Sequence, residues 1–295
     1  MRARRRRIKS PTPWLCYATA MALLSDLTTL GGFQATAVAE RLALAPSLAE
    51  LVGPSFRPCA ELIGAKGMVA VDHVATDLRF IFVPGGRFSM GLTERDLEVV
   101  EACTDYESGV VQARLMEFEE TCAPVHEVAV APFLLATIPA NYGQLMTLSA
   151  GGFGATTAMP DEALYLMELL EELRLPSEAE LEYAAREGGS ATFVNDAHIV
   201  WTRERRWPDV NGWGLRGMTV AAWAADEWHP NYEGAPNTSK PWTEGGPPGV
   251  YRGSLLYTPE DEDQLLFGLA AARGRLIPPE DEWDVTFRFA CSLRM

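Results

Sequence analysis

The chain has 295 residues, with 25 Lys and Arg against 40 Asp and Glu, a formal net charge of −15. Six of the positive charges (Arg2, Arg4, Arg5, Arg6, Arg7, Lys9) sit within residues 2–9, which leaves 19 against 40, or −21, for the rest. Charged residues at 22% and apolar residues at 47% exclude a disordered or fibrous chain, the absence of any apolar run of about 18 residues excludes a spanning helix, and an acidic body that repels phosphate excludes nucleic-acid binding by the main domain.

In chain order, MRARRRRIKS is a polybasic arm, followed by the apolar run WLCYATAMALL. Asp26 interrupts that run, and an A-x-A lies farther on at Ala37 to Ala39. This reads as a basic tail leading into an amphipathic helix at 15–30. The alternative is a twin-arginine-like export signal with a mature N-terminus near Glu40. The arm also has the charge to contact an anionic surface, although the chain as a whole is not read as a membrane protein. Residues 40–66 have helical spacing, broken at Pro54 and Pro58. Strand patterns follow in MVAVDHV and LRFIFVPGGRFSMG, the second turning at Pro84-Gly85-Gly86 and returning through Phe88 and Met90. A charged helix is expected at 93–120 with Thr93 as its N-cap, then a strand pair in HEVAVAPFLLATI.

The clearest helical signals lie between 160 and 189. Leu164, Leu166, Met167, Leu170 and Leu173 form one apolar face. In RLPSEAELEYAAREGG, Ser177 precedes Glu180 by three residues, the spacing of a reciprocal cap, and Gly188-Gly189 ends the helix. Beyond 190 periodicity is lost, and seven of the eight Trp lie between 201 and 283. The five Cys at 16, 59, 103, 122 and 291 form no close pair, which argues against a disulfide framework or zinc cage and fits reduced thiols in a cytoplasmic protein.

Taken in order, FVPGGRFSMG, PVHEVAVAPFLLATIPANY, LRLPSEAELEYAAREGG, NGWGLRGM, WAADEWHPNYEGAP, YRGSLLY and TFRFA resemble the sulfatase-modifying-factor, or formylglycine-generating-enzyme, family over roughly 79–292. The resemblance implies an α+β fold with little regular secondary structure, related to C-type-lectin-like domains. With the N-terminal patterns above, the chain divides into a basic arm and helical extension at 1–66 and a family-like domain at 67–295. In the family, two cysteines after an R-G-G-S motif bind copper as thiolates and oxidise a sulfatase cysteine. Here the stretch from Arg252 to Arg275 has no cysteine, and Cys291 lies on an apolar last strand, so copper is not expected. An iron-dependent branch uses closely spaced histidines, whereas His73, His126, His198 and His229 are far apart. The family's calcium segment, G-N-V-W-E-W, has become TVAAW at Thr219 to Trp223, leaving Asp226, Glu227 and Asn231 as weak calcium ligands.

What survives is a loop-built aromatic surface, Trp228, His229, Tyr232, Trp242, Arg252 and Tyr257, in the region that borders the family's peptide cleft. Such side chains bury much area and keep a polar handle. The acidic run Pro259 to Asp263 reads either as a solvated loop or as a stretch that repels anionic partners and favours basic ones. The leading reading is a non-catalytic binding or scaffold module, a pseudoenzyme of the family, that recognises a peptide or protein partner. The alternative is a metal-dependent oxidase or protein-modifying enzyme whose active-site residues have moved.

Overall fold

The structure is a computed structural model that describes residues 28–103, 108–140, 172–189, 191–194, 210–253, 266, 268–275 and 285–293. The basic arm, most of the helix expected from 160, His198, the acidic run and Tyr257 lie outside the described residues. Among the described residues no helix is long and apolar enough to cross a membrane.

Three short helices open the described chain: α1 (Leu30–Ala35), α2 (Val38–Leu42) and α3 (Ala45–Val52). Thr29 caps α1, its hydroxyl accepting from the Gly32 N–H at 3.1 Å, and Gly53 ends α3 with φ at 127°. Helical spacing was expected over 40–66 with a break at Pro54 and Pro58; the helix ends at Val52 ahead of that break, and β1 (Phe56–Pro58) follows, paired antiparallel with β2 (Ala70–His73). Pro54 and Pro58 each lack an N–H for a helical ladder, and an edge strand tolerates that loss. Phe33, Leu44, Leu48 and Phe56 join the same apolar core as the sheet, so the segment expected as an extension packs into the domain from Leu30 onward.

The central sheet has five antiparallel strands in the order β1-β2-β3-β6-β10, where β3 is Leu78–Val83, β6 is Phe133–Ala136 and β10 is Ala290–Ser292. A two-stranded ribbon pairs β4 (Gly86–Met90) with β5 (His126–Val130). Here the structure corrects two expected hairpins. β3 does not pair with β4, nor β5 with β6; β3 pairs with β6, and β4 with β5. One long antiparallel pair therefore bends at 84–85 on one strand and at 131–132 on the other. The bend needs glycine at Gly85, because a Cβ there would lie 2.7 Å from the Val130 carbonyl oxygen and 2.8 Å from that of Thr28.

The charged stretch expected as one helix is two, α4 (Glu94–Cys103) and α5 (Gly109–Thr121). Thr93 caps α4 as expected: its hydroxyl accepts from the Asp96 N–H at 3.2 Å, and the Asp96 carboxylate accepts from the Thr93 N–H at 2.9 Å. The reciprocal cap of Ser177 is also present at the start of α6 (Glu178–Ala185). Ser177 Oγ accepts from the Glu180 N–H at 3.1 Å, and Glu180 Oε2 accepts from the Ser177 N–H at 3.0 Å. Ser177→Ala is expected to cost about 1 kcal/mol, read as a lower urea midpoint at unchanged slope. A last sheet, β7 (Ala222–Trp223), β8 (Val250–Arg252) and β9 (Arg273–Arg275), lies against α6 and brings two arginines to it.

Candidate functional site

Helix α6 carries an unusual load for a buried helix. Glu178, Glu180 and Glu182 are 3%, 3% and 0% exposed, and Arg186 just beyond the helix is 3% exposed. Isolated ions in such a place would each cost several kcal/mol, so their partners decide whether the fold can hold them. The four-residue spacing puts Glu178, Glu182 and Arg186 on one helical stripe, and that stripe meets the arginines of the small sheet. Cross-strand registry sets Arg252 opposite Arg273, so both side chains leave the same face.

The result is a continuous chain of ion pairs. Arg273 grips Glu178 with Nε to Oε1 and Nη2 to Oε2, both at 2.8 Å. Arg252 bridges Glu178 at 3.3 Å and Glu182 at 2.8 Å, and also donates to the Tyr232 hydroxyl at 3.0 Å and the Ala270 carbonyl at 2.9 Å. Arg186 donates to Glu182 at 2.9 Å and, through both terminal nitrogens, to Asp96 at 3.1 and 2.9 Å. Burial pulls the Arg252 guanidinium down in pKa, but Tyr232, Glu182 and Glu178 more than reverse it and hold it above its ordinary value. Burial likewise works on Asp96, yet Arg186 wins and keeps that carboxyl below the usual range.

The expected aromatic surface is divided by this network. Tyr232 and Arg252 are 3% and 5% exposed and belong to the interior; the Arg252 guanidinium is taken up by the α6 carboxylates, the Tyr232 hydroxyl and the Ala270 carbonyl. Trp228, His229 and Trp242 are half-buried. Arg273 joins the two groups, with its guanidinium 4.4 Å from the Trp228 ring centre and 4.6 Å from that of Tyr232. The same arginine donates to the His229 carbonyl at 3.1 Å.

The half-buried trio sits on two loop stretches that backbone hydrogen bonds hold together. Glu227 N–H donates to the Trp242 carbonyl at 2.8 Å, Trp228 N–H to that of Pro247 at 2.7 Å, and Gly246 N–H to the Glu227 carboxylate at 2.9 Å. Gly246 lies against the Trp228 carbonyl too closely for any Cβ. The His229 and Trp242 rings stack with centroids 3.5 Å apart and planes 2° from parallel. Both imidazole nitrogens meet backbone carbonyls, of Glu227 at 3.0 Å and Glu244 at 3.1 Å, which fixes the ring in place. Asp226 ties the loop to the helix: one carboxylate oxygen accepts from the Glu178 N–H at 2.7 Å and the other from the Trp242 N–H at 2.8 Å.

No family model matches the sequence, and no curated protein does. Among solved structures, the chain aligns with the structure of PvdO from Pseudomonas aeruginosa at a TM-score of 0.50 and 21% identity, over 74% of this chain and 95% of that one. The fold is loosely that of PvdO. PvdO has a formylglycine-generating-enzyme-like fold, and the mixed helices and antiparallel sheets described above are of the same α+β class. Treponema denticola variable protein 1 aligns at a TM-score of 0.47 and 13% identity, over 72% of this chain and 95% of that one.

Among the described residues no three His, Cys, Asp or Glu side chains gather as a metal set. Cys122 lies beside the network, where Arg252 and Arg273 act on it, but burial outweighs them and pushes the thiol up to about 11, away from the thiolate that metal binding needs. His73 is buried between Thr76 at 2.8 Å and Glu172 at 3.2 Å, and the His126 ring packs on Tyr232. Of the weak calcium ligands, Asp226 and Glu227 accept backbone N–H groups as above, and the Asn231 side-chain oxygen accepts from the Glu233 N–H at 2.9 Å. Sequence reasoning missed Glu178, Glu182, Arg186 and Arg273. The Glu178-Glu182-Arg186 spacing was a usable signal, since it draws a charged stripe along a helix that is otherwise apolar apart from Glu180.

Proposed function

We propose that the chain is a divergent member of the formylglycine-generating-enzyme family that binds a peptide or protein partner and carries out no oxidation. The observation that carries this reading is the half-exposed Trp242–His229 stack, displayed on a loop that Asp226 and Arg273 fasten to a rigid ionic core. A pre-ordered aromatic pair concentrates binding energy because it buries area while losing little conformational freedom. Glu233 and Glu244 are exposed beside it, and with a net charge of −15 they favour a basic peptide.

The test is selection of peptides from a random display library on the full chain, followed by calorimetry of the best binders. Trp242→Ala is expected to weaken them about tenfold or more while the thermal unfolding profile is kept. Binders indifferent to Trp242 would overturn the reading. So would stoichiometric copper or iron in protein purified without added metal, together with turnover of a thiol peptide.

A further inference from the structure

Every buried arginine of the α6 network has a carboxylate partner, but Arg288 has none among the described residues. It is 1% exposed, among the most buried large side chains of the protein. Its Nη1 donates to the Ala136 carbonyl at 2.7 Å and its Nη2 to the Arg216 carbonyl. No Asp or Glu among the described residues lies within ion-pair distance of it. Arg41 also binds only carbonyls, but it bonds four of them, covers the Phe33 ring at 4.2 Å and keeps 8% exposure. Burial with so little compensation pushes the Arg288 guanidinium down to about 9, the opposite of what the carboxylates do for Arg252.

A cavity adjoins this cation. Arg288 and Arg252 line it together with Ala222, Gly253, Met218 and Leu181, and it is a partly open pocket with a free volume of about 20 Å³. That is room for one particle of roughly water size. The Arg252 donors are already committed to Glu178, Glu182, Tyr232 and Ala270. The unmatched positive charge on the wall is therefore that of Arg288. A guanidinium has five N–H donors, more than its two carbonyls engage. Water would fill the space and leave the charge uncompensated, whereas a monovalent anion would fill it and offset the charge in a place where counter-charge is worth most.

We propose that the cavity between α6, the β7–β8–β9 sheet and Arg288 is a binding site for one small inorganic anion of halide size. The anion acts as the missing counter-ion of Arg288 and stabilises the folded chain by mass action. The site is separate from the Trp242–His229 surface and stands or falls independently of it.

Crystals of the full chain in sodium bromide test this directly. An anomalous peak within hydrogen-bond reach of the Arg288 guanidinium is the expected result. Density there that is water alone, with no anomalous signal, overturns the site. In solution, the melting temperature of the wild type is expected to rise with bromide concentration relative to matched sodium gluconate, and Arg288→Met is expected to lose that difference. An equal salt response in the two proteins counts against the site, and if the variant does not fold the bromide map decides alone.

Discussion

Glu182→Gln is expected to destabilise the fold by about 3–5 kcal/mol, the range seen when one member of a buried ion pair is removed. The carboxylate accepts from three donors at once: Arg186 Nε at 2.9 Å, Arg252 Nη2 at 2.8 Å and the Gly91 N–H at 3.0 Å. Glutamine keeps the shape but has a single acceptor oxygen, so its NH₂ group must face one or more of those donors. Both arginines then lose part of their counter-charge where no water can replace it, since Glu182 is 0% exposed. A domain has only about 5–15 kcal/mol in hand, so the variant should lie near the edge of folding at physiological temperature. Glu127, paired with Arg87 at 2.6 Å with both side chains about two-thirds exposed, is the contrast. Glu127→Gln is expected to change stability by no more than about 1 kcal/mol. Urea unfolding followed by circular dichroism separates the two, and equal midpoints for both variants would mean that the α6 network is not the buried, mutually paired system described here.

The difference between these two glutamates shows what the sequence can and cannot reveal. Local signals were legible because each is contained within a few residues. The Ser177–Glu180 cap, the Thr93 cap and the strand patterns of β2, β3, β4 and β6 each depend on spacing alone. Pairing was not legible. Alternation in LRFIFV and GRFSM makes both segments strands, but nothing within them says that the first pairs with Phe133–Ala136 and the second with His126–Val130. The turn between them looked like a hairpin, because Pro-Gly-Gly serves a corner between sheets as well as it serves a tight return. The site was obscured for a related reason. Arg252 finds Glu178 across 74 residues and Arg273 finds it across 95. An arginine in a loop-rich stretch reads as a surface group until its carboxylate is placed beside it. Tyr232 was misjudged in the same way, as its hydroxyl is held by Arg252. Trp242 and His229 are half-buried, on a loop held by its own backbone hydrogen bonds.

Asp226 gives the network a pH dependence with a definite sign. Burial first, and the Glu178 carboxylate second, raise its carboxyl from an ordinary 3.8 to about 7, and the N–H groups of Trp242 and Glu178 only partly offset this. Between those two values the folded chain holds a proton that the unfolded chain has released. The contribution of Asp226 to stability is therefore greatest at about pH 4 and is lost as pH rises through 7. The shift of roughly three units corresponds, at 1.36 kcal/mol per unit, to about 2–3 kcal/mol lost between pH 5 and pH 8. Asp96 acts in the opposite direction, because Arg186 holds its carboxyl low and stability is lost only as pH falls through that depressed value. The wild-type curve sums both, so the readout is the stability difference between wild type and Asp226→Asn across that window. Asparagine retains one acceptor for the two N–H donors and adds a fixed penalty of about 1 kcal/mol that does not vary with pH. The wild-type advantage over Asp226→Asn is thus expected to fall by about 2 kcal/mol from pH 5 to pH 8. A difference that stays flat would place the Asp226 carboxyl in contact with water and detach the Trp242 loop from the start of α6.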